Sequence, residues 1–132
     1  MIVIDASALA SFILLEPGWE RIAPYVKHCM SVNHVVKEVT NAIWKAYVTG
    51  RISKRNAEEK HKVLMKLIGV NIKLYSEEQV ISDAFKLSMQ LKLPIYDTLY
   101  IALAKKLKLP LLTLDLKQKR KAEEANVKTI TP

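Results

Sequence analysis

The chain has 132 residues, of which 50% are hydrophobic and 26% are charged, and 21 Lys and Arg against 13 Asp and Glu give a net charge of +8. This composition indicates one compact domain, is too apolar for a disordered tail and contains no apolar run long enough to span a bilayer. The single cysteine, Cys29, excludes an intramolecular disulfide and favours a reducing, cytoplasmic location. The basic excess indicates a polyanionic partner such as RNA or DNA, although a lysine-rich surface can also be merely soluble.

The first half of the chain predicts one buried strand followed by helices. Consecutive β-branched residues at the start are typical of a strand covered on both faces, and Ser7 is a candidate cap for the helix that follows. Further along, apolar residues recur at three- and four-residue spacing, which predicts amphipathic helices. In chain order we predict a strand over residues 1–5, helices over 7–15 and from 19, an extended piece at 32, and helices over 34–48 and 53–68.

The second half alternates strands and helices. Ser76 and Gln79 have the spacing of a capping box, and Pro94 separates two helices. The predicted elements are a strand over 70–75, helices over 76–91 and 97–107, a strand over 111–114, a helix over 116–125 and a strand over 127–130. Strands separated by helices imply parallel pairing. The predicted fold class is therefore α/β, a three-layer α/β/α sandwich with a mainly parallel sheet of four or five strands, in a single domain over residues 1–132.

Four acidic residues occupy positions where such a fold places functional sites. Asp5 and Asp115 each follow a predicted strand, and sites in open parallel sheets form at the carboxyl ends of strands. Asp97 stands at the start of a helix, and Glu38 lies in the first turns of another helix among apolar neighbours. Each Asp alone is more simply read as a helix N-cap, and His34 could pair with Glu38. Helix capping does not explain why all four acids occur at such positions.

Carboxylates that converge in this way repel one another and need a cation. Hard oxygen ligands without Cys or His partners select Mg²⁺ or Mn²⁺ over Zn²⁺. One or two such ions support hydrolysis of a phosphodiester by a metal-activated water. Ser7 and Thr113 each lie two residues from one of these acids and could orient the ligands or bound waters.

The sequence resembles the PIN domain family, and within it the single-domain VapC-type toxins of bacteria and archaea. The matching segments are residues 2–10 (IVIDASALA), 35–43 (VVKEVTNAI) and 94–115 (PIYDTLYIALAKKLKLPLLTLD). The resemblance implies a Mg²⁺- or Mn²⁺-dependent endoribonuclease. Its metal-binding and catalytic residues would be Asp5, Glu38, Asp97 and Asp115, with Ser7, Asn41 and Thr113 as polar residues around the pocket.

The resemblance also implies partners and leaves one point open. Relatives of this kind form homodimers and are neutralised by a small antitoxin whose C-terminal segment wraps the toxin. Some carry a further Asp or Asn soon after the last acid, where this chain offers only Gln118. The number of bound ions, one or two, therefore stays open.

Basic residues are concentrated near the last acid. Seven Lys or Arg and one acid lie between residues 105 and 121, and Lys117 and Arg120 share a helix face directly after Asp115. These two residues could bind RNA phosphates beside the pocket. Tyr96, next to Asp97, could face the pocket.

Two alternatives remain beside a toxin nuclease. A housekeeping PIN nuclease for RNA processing would use the same chemistry. A non-catalytic PIN module would bind RNA or a protein partner without metal, and the complete set of four acids argues against it.

Overall fold

The computed structural model describes every residue from Met1 to Pro132. Five strands form one sheet in the order β3-β2-β1-β4-β5, and every pair of neighbouring strands is parallel. The strands are β1 Val3–Ile4, β2 Cys29–Val32, β3 Ile72–Tyr75, β4 Leu111–Leu112 and β5 Thr129–Ile130. The helices are α1 Ala6–Ile13, α2 Trp19–Val26, α3 His34–Val48, α4 Lys54–Leu67, α5 Ile81–Leu91, α6 Ile95–Leu107 and α7 Leu116–Glu124. These findings confirm the predicted α/β class.

The chain changes direction across the sheet at β1. From β1 it proceeds through β2 to β3, and it later returns to the other side of β1 as β4 and β5. Val3 therefore pairs with Met30 of β2 on one side and with Leu111 of β4 on the other. In open parallel sheets this switch point opens a crevice at the carboxyl ends of the strands. The ends of β1 and β4 lie side by side there.

The core is one continuous cluster of 31 buried apolar residues. Val3 and Ile4 of β1 are completely buried, as expected for a central parallel strand covered on both faces. Seven consecutive residues of α6, from Thr98 to Ala104, are also buried. A helix this enclosed is fixed in position, so the side chains in its first turn are held firmly at the edge of the sheet. The longest helix, α3, has 15 residues, and none of the seven combines the length and apolar character of a membrane crossing.

The structure corrects the predicted starts of two helices. Asp5, and not Ser7, caps α1: its Oδ1 accepts a hydrogen bond from the Ala8 backbone N–H at 3.0 Å. Helix α6 begins before Asp97, at Ile95 directly after Pro94. Pro94 is the N-cap, with ψ of 149°, and a proline there prevents an earlier start because it disfavours the helical conformation in the residue before it. Asp97 therefore lies within the first turn of α6 and does not cap it.

The predicted helix over residues 76–91 is two elements. Ser76 does cap, since its hydroxyl accepts from the backbone N–H of Glu78 at 3.3 Å, but it caps only a short 3₁₀ helix, Glu77–Gln79. Helix α5 begins afterwards at Ile81. Ser76 is thus a cap, as predicted, but the helix that directly follows it is a short 3₁₀ helix and not α5.

Candidate active site

The four predicted acids line one open cavity of about 260 Å³ at the crevice between β1 and β4. They arrive from four different elements: the end of β1, the first turns of α3, the first turn of α6 and the start of α7. The remaining lining residues are small or polar, namely Ala6, Ser7, Ala10, Ala42, Tyr100 and Gln118. The fold therefore brings together acids that are up to 110 positions apart in sequence.

Asp5 is the most buried of the acids, with 1% of its surface exposed. Its Oδ1 accepts hydrogen bonds from the Ser7 hydroxyl at 2.7 Å and from the Ala8 backbone N–H at 3.0 Å. Its Oδ2 accepts from the Thr113 hydroxyl. Burial nevertheless raises the pKa of Asp5 to about 6, because the loss of water outweighs these hydrogen bonds. The structure thus places Ser7 and Thr113 as the groups that orient the Asp5 carboxylate.

Asp115 both caps a helix and lines the cavity. Its Oδ1 accepts from the backbone N–H groups of Lys117 at 2.9 Å and Gln118 at 3.1 Å, which begins α7. Its own N–H donates to the Thr113 hydroxyl at 3.0 Å. Capping uses one carboxylate oxygen and leaves Oδ2 without a hydrogen bond from the protein. The capping and site interpretations of this residue are therefore compatible.

Glu38 is held by two aromatic residues that sequence reasoning treated differently. The Tyr100 hydroxyl donates to Glu38 Oε1 at 2.7 Å. His34 Nε2 lies 3.0 Å from the same oxygen, without the alignment of a hydrogen bond. Burial and the charge of Glu38 raise the pKa of Tyr100, so the phenol keeps its proton and remains a donor. The sequence predicts that His34 and Glu38 lie together, and the structure places them in contact.

Tyr100 is a site residue that the sequence prediction missed. It is a buried residue of α6, and its hydroxyl donates to Glu38 at the cavity. The available signal was its spacing: Tyr100 follows Asp97 by three residues, so both share one face of α6.

The pKa of Asp97 depends on the charges that surround the cavity. Burial raises its pKa, and the charges of Asp115 and Glu38 raise it further, while Lys117 and His34 act in the opposite direction. Carboxylates that raise one another's pKa share a region of excess negative charge. That charge, with oxygen as the donor atom throughout, fits Mg²⁺ or Mn²⁺. No three acidic, histidine or cysteine side chains are close enough in this structure to hold one ion as they stand, so the fit rests on donor chemistry.

The other predicted site residues differ in their placement. Gln118 lines the cavity, is 3% exposed, and donates from Nε2 to the backbone carbonyl of Asp97 at 2.9 Å. Lys117 and Arg120 lie exposed on α7, and the charge of Lys117 acts on Asp97. Asn41 is exposed one turn after Glu38 and neither lines the cavity nor forms a side-chain hydrogen bond.

The basic residues between 105 and 121 form two separate groups. Lys105, Lys106 and Lys108 lie at the end of α6, just before β4 begins, and hence at the opposite edge of the sheet from Asp115. A helix of 13 residues is about 20 Å long, which separates these lysines from the cavity. On α7, by contrast, Lys117 is close enough for its charge to lower the pKa of Asp97.

Comparisons with known proteins identify the family to which this chain belongs. The family model of the PIN domain matches residues 2–124. Ribonuclease VapC3 of Pyrobaculum aerophilum is 31% identical over 117 residues, which are 86% of this chain and 88% of that protein. Two solved structures share the fold at lower identity. VapC20 of Mycobacterium tuberculosis, a toxin that cleaves the sarcin–ricin loop, has a TM-score of 0.73 at 16% identity and 100% coverage of both chains. A toxin–antitoxin complex from Klebsiella pneumoniae has a TM-score of 0.69 at 17% identity, covering 100% of this chain and 98% of the other. The chain belongs to the PIN domain family.

Proposed function

We propose that this chain is a Mg²⁺- or Mn²⁺-dependent endoribonuclease and the toxin of a VapBC-type toxin–antitoxin pair. The observation that carries the proposal is the convergence of Asp5, Glu38, Asp97 and Asp115, from four elements, on one cavity. The identity of 31% with a ribonuclease of similar length supports the same activity. These four acids would be the metal-binding and catalytic residues.

The chain's own residues would prepare the site for a phosphodiester. One or two bound ions would polarise the phosphate and lower the pKa of an attacking water. Ser7 and Thr113 fix the Asp5 carboxylate, and Tyr100 fixes the Glu38 carboxylate. Side chains held by such hydrogen bonds lose little freedom when they bind a ligand, which is how surrounding residues strengthen a metal site.

The substrate and partners follow from charge and from the relatives. Lys117 and Arg120 would bind RNA phosphates that flank the acidic cavity. The exposed Asn41 would be a polar residue around the pocket, outside its lining. An antitoxin partner is supported by a neighbour solved as a toxin–antitoxin complex. We also propose that residues 1–132 act as one domain, in a homodimer in the cytoplasm.

Cleavage of single-stranded RNA by protein freed of any partner tests the activity. We expect cleavage with Mn²⁺ or Mg²⁺ and none with EDTA. Binding of RNA without cleavage under all metal conditions would instead favour a non-catalytic module. Growth arrest on induced expression, relieved by a protein encoded next to the gene, tests the toxin role. Metal-dependent cleavage that leaves growth untouched would indicate a housekeeping RNA-processing nuclease.

A further inference from the structure

One exposed aromatic ring lies beside two of the acids, although it does not line the cavity itself. Tyr96 immediately precedes Asp97 and is 60% exposed. Its ring stacks on the ring of His34, with centroids 5.4 Å apart and planes inclined by 25°. His34 is buried, and its ring lies 6.4 Å from that of Tyr100. Tyr96 is therefore held through one face, while the other face is open to solvent.

This ring is connected to the acids through short contacts. His34, beneath the ring, lies 3.0 Å from the Glu38 carboxylate, and Asp97 is the next residue along the chain. His34 begins the helix after β2, whereas Lys117 lies in the helix after β4, and these strands flank β1 on opposite sides. The aromatic pair and the basic group on α7 thus border the cavity from two sides.

The other exposed aromatic residues lie elsewhere. Trp44 and Tyr47 line a separate groove between α3 and α4, and Phe85 lies on α5. These three residues and Tyr96 itself are all absent from the lining of the acidic cavity, but only Tyr96 is next in sequence to Asp97 and stacks on His34, which lies 3.0 Å from Glu38. Tyr96 is consequently the exposed aromatic ring that can contact a group bound next to the acids.

We propose that Tyr96, supported by His34, is a stacking platform for a nucleobase of single-stranded RNA, adjacent to the phosphate bound at the acidic cavity. The proposal rests on the proposed nuclease function and adds a binding site for a base to it. Bases of single-stranded RNA stack on Tyr and His rings, and this contact tolerates any base because each has an aromatic face. A ring already held by His34 loses little conformational freedom on binding, which favours the stacked complex.

Steady-state cleavage of a short single-stranded RNA with Mn²⁺ tests the platform. We expect Tyr96→Leu to raise KM about 5- to 100-fold, the range for loss of one base–aromatic stack, with a much smaller change in kcat. Tyr96→Phe keeps the ring and should remain close to wild type. Trp44→Leu removes an equally exposed aromatic ring away from the cavity and serves as the control.

Fluorescence of 2-aminopurine gives a second readout that does not require cleavage. Placed at successive positions of the RNA, this base should be quenched at one position by wild-type protein and by Tyr96→Phe, and not by Tyr96→Leu. Equal quenching and equal KM in all three proteins would overturn the platform. A fall in kcat alone for Tyr96→Leu would also overturn it, because that result would indicate a disturbed Asp97. A changed oligomeric state of Tyr96→Leu in size-exclusion chromatography would overturn it too, because that result would indicate a contact with a second copy. Absence of cleavage by wild type would contradict the nuclease function, while quenching would still test the platform.

Discussion

Replacement of Asp5 by Asn should make the metal-free protein more stable near neutral pH. Asn caps helices as well as Asp does, and its Oδ1 can keep the hydrogen bonds from Ser7 and Ala8. Its amide nitrogen would donate to the Thr113 hydroxyl, which can accept as well as donate. The substitution therefore removes a buried charge, keeps two of the hydrogen bonds and reverses the direction of the third.

The pKa of Asp5 gives the magnitude. Burial raises it from 3.8 to about 6, so the charged form is disfavoured in the folded protein relative to the unfolded chain. At about pH 7 the carboxyl is ionised in both states, and the difference of roughly two pKa units costs about 3 kcal/mol of folding free energy. Well below pH 4 it is protonated in both states and this cost is absent. Wild-type stability should therefore fall as the pH rises from about 4 to about 6 through this residue, while Asp5→Asn lacks that contribution.

Urea denaturation in EDTA, followed by far-UV circular dichroism, measures the effect. The quantity to examine is the unfolding free energy of Asp5→Asn minus that of wild type, because other titrations largely cancel in it. We expect this difference to grow by up to about 3 kcal/mol from about pH 4 to about pH 7. Glu78→Gln, which removes an exposed acid outside the cavity lining, serves as the matched control. A difference for Asp5→Asn that is constant over this range would refute the reasoning.

Three further predictions concern other parts of the molecule. Tyr100→Phe should fold normally but lower RNA cleavage about 10- to 100-fold, since the residue orients a site carboxylate; cleavage equal to wild type would contradict that role. Cys29 is buried and its pKa is raised to about 12, so a thiol reagent near neutral pH should label it only as fast as the protein opens, and fast labelling of native protein would contradict its burial. Lys117→Gln and Arg120→Gln should each weaken RNA binding and reduce its salt dependence by about one phosphate contact, whereas Lys106→Gln, at the far edge of the sheet, should not.

The sequence predicted the parts of the fold that local patterns control. Periodic apolar residues placed α3 correctly over His34–Val48, and a run of β-branched residues located the central strand. Strand ends were less well predicted: the strand expected over 70–75 begins only at Ile72, because Gly69 has a positive φ and turns the chain there. The first and last residues of a strand are set by hydrogen bonds to neighbouring strands. Those strands are distant in sequence, so a local pattern does not predict them.

In the candidate site too, the sequence predicted what depends on local position and not what depends on contacts between distant elements. The four acids were predicted from their positions at the ends of elements, and the structure brings all four to one cavity. The spacing of Tyr100 and Asp97 in α6 indicates a shared face, but the contacts of Tyr100 with Glu38 and of Tyr96 with His34 depend on how α3 and α6 lie against each other, which the sequence does not show. Likewise, the basic residues on either side of β4 are neighbours in sequence and are separated by the fold.

The most direct test of the central claim is RNA cleavage by Asp97→Asn. This substitution removes one of the four carboxylates from an exposed cavity and leaves the buried part of α6 unchanged, so circular dichroism should match wild type. If the four acids form a metal-dependent nuclease centre, wild type will cleave single-stranded RNA with Mn²⁺ and not with EDTA, and Asp97→Asn will show no cleavage with Mn²⁺. Full Mn²⁺-dependent cleavage by Asp97→Asn would contradict the account.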